Sequence, residues 1–139
     1  MALFNIFDIA GSAMSSQSVR LNTTASNLAN ADSISSSINK TYRARHPVFA
    51  TVMRDTMSRD SFNAGVRIAG IIESQAPLQK VYKPEHPQAD ESGYIFLPNV
   101  NVMEEMANMI SASRSYQNNV EVINASKDML LRTLTLGQR

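Results

Sequence analysis

From Val102 to Leu134 the chain repeats one stripe at alternating intervals of four and three: Val102, Met106, Met109, Ser113, Tyr116, Val120, Ile123, Lys127, Leu130 and Leu134. The stripe is apolar except at Ser113 and Lys127. A heptad repeat of this kind builds the seam of a coiled coil. As a helix the segment is on the order of 50 Å long at about 1.5 Å per residue. Its flanks agree: Asn101 followed by Glu104 makes a helix-capping start, and Glu104 and Glu105 suit the positive end of the helix dipole. Arg132 is expected in the last turn, with Gly137 as the stop beyond it. A rod with one apolar stripe needs a partner surface.

A second stripe of the same period runs through Leu3, Phe7, Ala10, Met14, Gln17, Leu21, Thr24, Leu28 and Ala31. The expected helix ends near Asn30, because the residues from Asp32 to Ser37 have turn composition. Its opposite face is short of charge. Ser12, Ser15, Ser16, Ser18, Asn22, Thr23, Ser26 and Asn27 line it, and between residues 1 and 39 the charges are Asp8, Arg20 and Asp32. A solvated helix usually carries lysine and glutamate on such a face. A small neutral face suits close packing against other polar surfaces, and serine and asparagine are mediocre helix formers. The arm is therefore expected to be disordered alone and helical when packed.

Between about residues 40 and 100 proline and glycine enter and the period shortens towards two. Pro47–Met53, Val66–Ile72 and Leu78–Tyr82 are the strand candidates, with Tyr94–Leu97 as a short fourth. Lys83–Gly93 reads as an exposed loop, and Arg54–Gly65 as a polar connection with room to flex. The fold class is mixed α and β: long N- and C-terminal helices forming a coiled coil, with a small β-rich middle domain. The divisions are 1–32, 33–100 and 101–139.

Reactive chemistry finds no foothold. The chain has no cysteine, which removes disulfides, thiolate catalysis and cysteine-held zinc. His46 and His86 each precede proline, forty residues apart, without the spaced further ligands a metal needs. Neighbours on a helix such as Glu104 and Glu105 point apart and cannot flank one bond. Gly65, Gly70 and Gly93 are isolated and build no phosphate cradle. Lys40, Arg43 and Arg45 with Tyr42 are too little for single-stranded nucleic acid and read as a solvated or subunit-facing loop. Met53, Met57, Met103, Met106, Met109 and Met129 suit adaptable packing. A formal net charge of +1 points to neither nucleic acid nor an anionic membrane. The opening MALFNIFDIAGSAMSSQ lacks the basic start and continuous apolar core of a cleavable signal, and no run is long enough to span a bilayer. No catalytic residue, metal or cofactor is expected.

Several segments carry a resemblance. Ala25-Ser26-Asn27-Leu28-Ala29-Asn30-Ala31-Asp32 closely resembles the N-terminal signature of the flagellar rod, hook and filament axial proteins. Pro98–Val102, Glu105-Met106, Ala112–Val122 and Leu134–Gln138 resemble the C-terminal signature of that family's rod proteins. With Asn5–Ala13, Ile72–Pro77 and the small size, the likeness narrows to a subunit of the proximal rod. The chain departs from many axial proteins at Asp32–Thr41, which stands where a short Thr-x-Gly-aromatic turn is usual.

The resemblance implies terminal helices that pair as a coiled coil and stack with those of neighbouring subunits into a tube, with the β body outside. It implies a structural, non-enzymatic role in flagellum-dependent motility, carrying torque towards hook and filament around an export channel. Implied partners are other copies of the chain, neighbouring rod proteins of the FlgB, FlgF and FliE types and the flagellar export apparatus. No nucleic acid and no direct membrane insertion are implied. The implied location is the basal-body rod in the periplasmic space, reached without a cleaved signal. The expected interface sets Leu3, Phe7, Met14, Leu21 and Leu28 against Met106, Met109, Tyr116, Val120, Ile123, Leu130 and Leu134. Asn27, Asn30, Arg114 and Asn118 are the expected polar register contacts. The rival reading is a soluble coiled-coil adaptor or secretion chaperone whose helices close on each other within one molecule. Such a hairpin is expected to show charge on the outer face of its N-terminal helix.

Overall fold

The computed structural model describes residues 2–53 and 64–136, with side chains from residues 5–52 and 65–136. Met57, Gly137 and most of the Arg54–Gly65 connection lie outside the described residues, as do the side chains of Leu3 and Met53. The order of elements is α1 (Ala2–Ala29), β1 (Arg45–Met53), β2 (Ala64–Glu73), β3 (Gln79–Tyr82), β4 (Tyr94–Leu97) and α2 (Val102–Leu136). Both helices and all four strands fall where the sequence pattern puts them. α2 runs two residues past Leu134, so Arg132 stands before its last turn.

Asn101 opens α2 as a cap. Its side-chain oxygen accepts from the Met103 amide at 3.1 Å and from the Glu104 amide at 3.5 Å, satisfying N–H groups that have no partner within the helix. The two helices then pack along each other. Arg20 donates to the Asn108 side chain at 3.0 Å, while Ala31 and Val100 share a small core at one end. Contacts that climb one helix as they descend the other make the pair antiparallel. Counted from Arg20 and Asn108, residues of α2 beyond about 126 run past the first turn of α1. There Leu131, Leu134 and Leu136 are exposed.

The sheets are two antiparallel pairs, β1 with β2 and β3 with β4. The first is a long ribbon whose register slips by one residue between Val48 and Phe49. It lies on α1: the Val66 amide donates to Ser12 Oγ at 3.2 Å, and Ser16 Oγ donates to the Val66 carbonyl at 3.4 Å. Gly65 lets the strand approach this closely, since a Cβ there would stand 3.2 Å from Ser12 Oγ. The second pair is short but anchors the body through Ile95, Phe96 and Pro98, all buried. Ser35 bridges to Phe96 and extends that sheet by one residue.

Part of the charge-poor face of α1 is thereby explained. Ser12 and Ser16 meet the β2 backbone, Ser26 and Asn27 meet the start of β1 and Tyr42, and Thr23 is buried. The chain's own ribbon covers this part of the face, while Ser15, Ser18 and Asn22 stay exposed. The expectation that a closed pair of helices shows charge there is corrected: these helices do pack on each other within one chain.

Candidate assembly interface

The row of α2 turned to α1 lacks large apolar side chains. Glu105, Ala112 and Ser126 are its buried residues, spaced by multiples of seven, and Asn119 between them is half-buried. Ala112 is 0% exposed. On α1 the buried positions are Ala10, Ser16, Thr23, Thr24 and Asn27, of which Ser16 and Asn27 meet the β1–β2 ribbon. Small side chains allow the helix backbones to approach. The hydroxyls cost little when buried because each bonds back to its own helix: Ser16 to Ser12, Thr23 to Val19, Thr24 to Arg20 and Ser126 to Val122, at 2.7–3.1 Å. Glu105 is 3% exposed, and its Oε2 has no hydrogen-bond partner among the described residues. Glu104 points away and is exposed, as neighbours on a helix must.

The seam therefore sits one residue from the row expected on apolarity alone. Met109, Ile123 and Leu130 are half-buried and flank it, as do Phe7, Met14, Leu21 and Leu28 on α1, whereas Tyr116 falls just on the exposed side. The other half of the expected row turns outward: Met106 is 46% exposed and Leu134 64%, with Val120 half-buried. Val102, Met103, Ile110, Val122, Met129 and Leu136 are exposed too. Ala112 and Ser126 let the helices pack along this row, and the large apolar side chains are left beside it or exposed. A helix with this much exposed apolar surface has an unfilled face.

Of the polar residues, Asn27 is engaged within the chain. It is fully buried. Its Nδ2 donates to the Arg45 carbonyl at 2.8 Å, and its Oδ1 accepts from the Arg45 amide at 2.9 Å and the Tyr42 hydroxyl at 2.8 Å. Asn30 is half-buried and donates to the Ser26 carbonyl at 2.8 Å. Arg114 and Asn118 are exposed on α2. Asn99 was not singled out by its sequence. Its Oδ1 accepts from the Ala44 amide at 2.8 Å, and its Nδ2 donates to the carbonyls of Ser74 at 3.3 Å and Ala76 at 2.9 Å. Its position inside Pro98–Val102 was the available signal. Asn27 and Asn99 together grip Ala44 and Arg45, fixing where the β body leaves the helices.

Among the described residues no group of His, Asp or Glu side chains is placed to hold a metal, and no helix is long and apolar enough to cross a membrane. Two long packed helices, a small β body and large apolar side chains left exposed on α2 outline a structural kind of subunit. Residues 7–33 match the family model described as flagella basal body rod protein, and residues 91–136 match that of the flagellar basal body rod FlgEFG protein C-terminal region. The chain is 54% identical over 138 residues to the flagellar basal-body rod protein FlgC of Salmonella typhimurium, covering 99% of this chain and all of the relative. It is 55% identical to the FlgC of Escherichia coli O157:H7 over the same shares, and 46% identical over 140 residues to that of Buchnera aphidicola from Acyrthosiphon pisum. The chain belongs to the FlgC family of flagellar basal-body rod proteins. Its role is structural, not enzymatic, and its place is the basal body.

Proposed function

We propose that the chain is a subunit of the proximal rod whose helix pair stacks with those of neighbouring copies and of other rod proteins, of the FlgB, FlgF and FliE types. In this reading the stacked helices form a coiled-coil tube around the export channel, and the β body lies outside. The tube carries torque from the motor towards hook and filament. The subunit reaches the periplasmic space through the flagellar export apparatus, without a cleaved signal.

One observation supports this reading above the others. α2 from Val102 to Leu136 exposes Met103, Met106, Ile110, Met129, Leu134 and other large apolar side chains on the faces not turned to α1, and burying them is the main favourable term an assembling helix has available. The proposed interface is accordingly Met106, Leu134 and Tyr116 in the lead. Met109, Val120, Ile123 and Leu130 flank them, with Leu3, Phe7, Met14, Leu21 and Leu28 on α1. Asn30, Arg114 and Asn118 are proposed as polar register contacts between subunits, and Asn27 as a register contact within one. A heterologous, offset contact of this kind propagates as a ring or helix and does not close as a pair.

Deleting the gene in its own host tests the proposal. Cells are expected to lose swimming, and the chain supplied in trans is expected to restore it and to be recovered in isolated basal bodies. Unimpaired swimming without the chain would contradict it.

A further inference from the structure

Beside the helices, where the loop after α1 meets the start of β1, lies a groove of about 630 Å³. Hydroxyls and amides from Asn30 to Tyr42 line one wall, and Lys40, Arg43 and Arg45 stand around it with one carboxylate, Glu73. That carboxylate is already engaged by Arg45 at 3.2 Å. Arg43 donates to the Ser74 carbonyl at 3.2 Å, a neutral acceptor that leaves its charge unbalanced. Lys40 is exposed and has no ion-pair partner among the described residues. The groove is thus cationic, polar and open, and nothing in the chain's own fold fills it.

The complementary surface is on the same chain. The loop between β3 and β4 carries Glu85, Asp90 and Glu91, none of them within ion-pair distance of a cation among the described residues. The loop is held in one shape by its own backbone. Lys83 N donates to Gly93 O at 2.9 Å, His86 N to Lys83 O at 3.1 Å, Ala89 N to His86 O at 2.9 Å and Gly93 N to Asp90 O at 2.7 Å. A second bond from Asp90 N to Tyr94 O at 2.8 Å ties it to β4. A preordered loop binds without a further entropic cost of ordering. It projects from the hairpin tip, beyond the Tyr82–Tyr94 pair, while the groove borders the same sheet lower down, where Ser35 meets Phe96. Elsewhere Glu73 is paired with Arg45, Glu105 is buried, and the exposed acids of α2, Glu104, Glu121 and Asp128, are spaced along the helix.

We infer that the acidic loop Lys83–Gly93 of one copy docks in the Lys40–Arg43–Arg45 groove of the next, joining β bodies side by side outside the helices. The inference rests on the assembly reading above and adds to it a specific head-to-tail contact, in which opposite charges select register and orientation.

The absence of native cysteine makes the test clean. A Lys40→Cys variant and a Glu91→Cys variant are expressed together in the host lacking the native chain, and isolated basal bodies are treated with a short bis-maleimide. A covalent dimer is expected, and neither variant alone is expected to give one. Both variants present in basal bodies without any dimer would overturn the inference and leave the rod reading standing. Absence of the wild-type chain itself from basal bodies would overturn both. A second arm uses charge: Lys40→Glu and Glu91→Lys are each expected to lower incorporation several-fold, and the double variant to restore it. A double variant no better than either single one would overturn the inference.

Discussion

Asn27 holds Arg45 by both of its backbone groups, donating to the carbonyl at 2.8 Å and accepting from the amide at 2.9 Å. A side-chain amide here does what a neighbouring strand would do, and it does so from inside a helix. The contact fixes the first residue of β1 against the end of α1. Asn99 fixes the preceding residue from the other side.

Replacing Asn27 by alanine leaves two part-buried backbone groups of Arg45 without this partner, while Tyr42 keeps Ser26 at 3.3 Å. At about 1–3 kcal/mol per orphaned group, the loss is on the order of 3 kcal/mol. Urea unfolding of the purified chain checks it through the midpoint. By contrast Glu73→Gln, which breaks the half-exposed ion pair with Arg45, is expected to cost less than about 1 kcal/mol. The backbone of Arg45 is the anchor; its guanidinium is not.

The seam and the exposed faces of α2 respond oppositely. Ala112 is fully buried on the row turned to α1, so Ala112→Met overpacks it at a cost of about 1–3 kcal/mol. Met106→Ala removes a side chain that is 46% exposed and shifts stability by no more than about 0.5 kcal/mol. Thermal melts of the purified variants distinguish the two. In cells Met106→Ala is expected to lower incorporation into basal bodies even though its melt is unchanged.

How much of this the sequence discloses depends on the range of the interaction. The helices, the four strands and the Asn101 cap follow from local period and local hydrogen bonding, and all are legible. The rotation of α2 is not. Heptad apolarity marks Met106 and Leu134, but the buried row is Glu105, Ala112 and Ser126 with Asn119 half-buried, which carries little hydrophobic signal. The covered polar face of α1 is equally hidden, since its cover comes from Val66, fifty residues on. Asn27 stands inside a motif the sequence flags, yet two of its three partners are backbone groups, which no side-chain pattern encodes.

Gly93 tests the loop between β3 and β4. Its φ is +76°, and a Cβ there would lie 2.9 Å from Tyr82 Cε2 and 3.2 Å from Pro84 Cβ. The Tyr82 ring is exposed and yields; Pro84 is the stiffer neighbour. Gly93→Ala is expected to cost about 1–2 kcal/mol, mostly through the left-handed backbone. Hydrogen exchange at the amides of Lys83 and Gly93 should then quicken about tenfold, with the β1–β2 ribbon unaffected.

The most direct measurement follows the exposed ridge into the assembled rod. Single cysteines at Met106 and Leu134, in a chain that has none of its own, report solvent access by maleimide labelling, with Gln75, also exposed, as the control. Both ridge positions are expected to label readily in the purified chain and to be protected in isolated basal bodies, while Gln75→Cys labels in both. Equal labelling of Met106→Cys and Leu134→Cys in the two states would mean that the ridge is not where subunits meet.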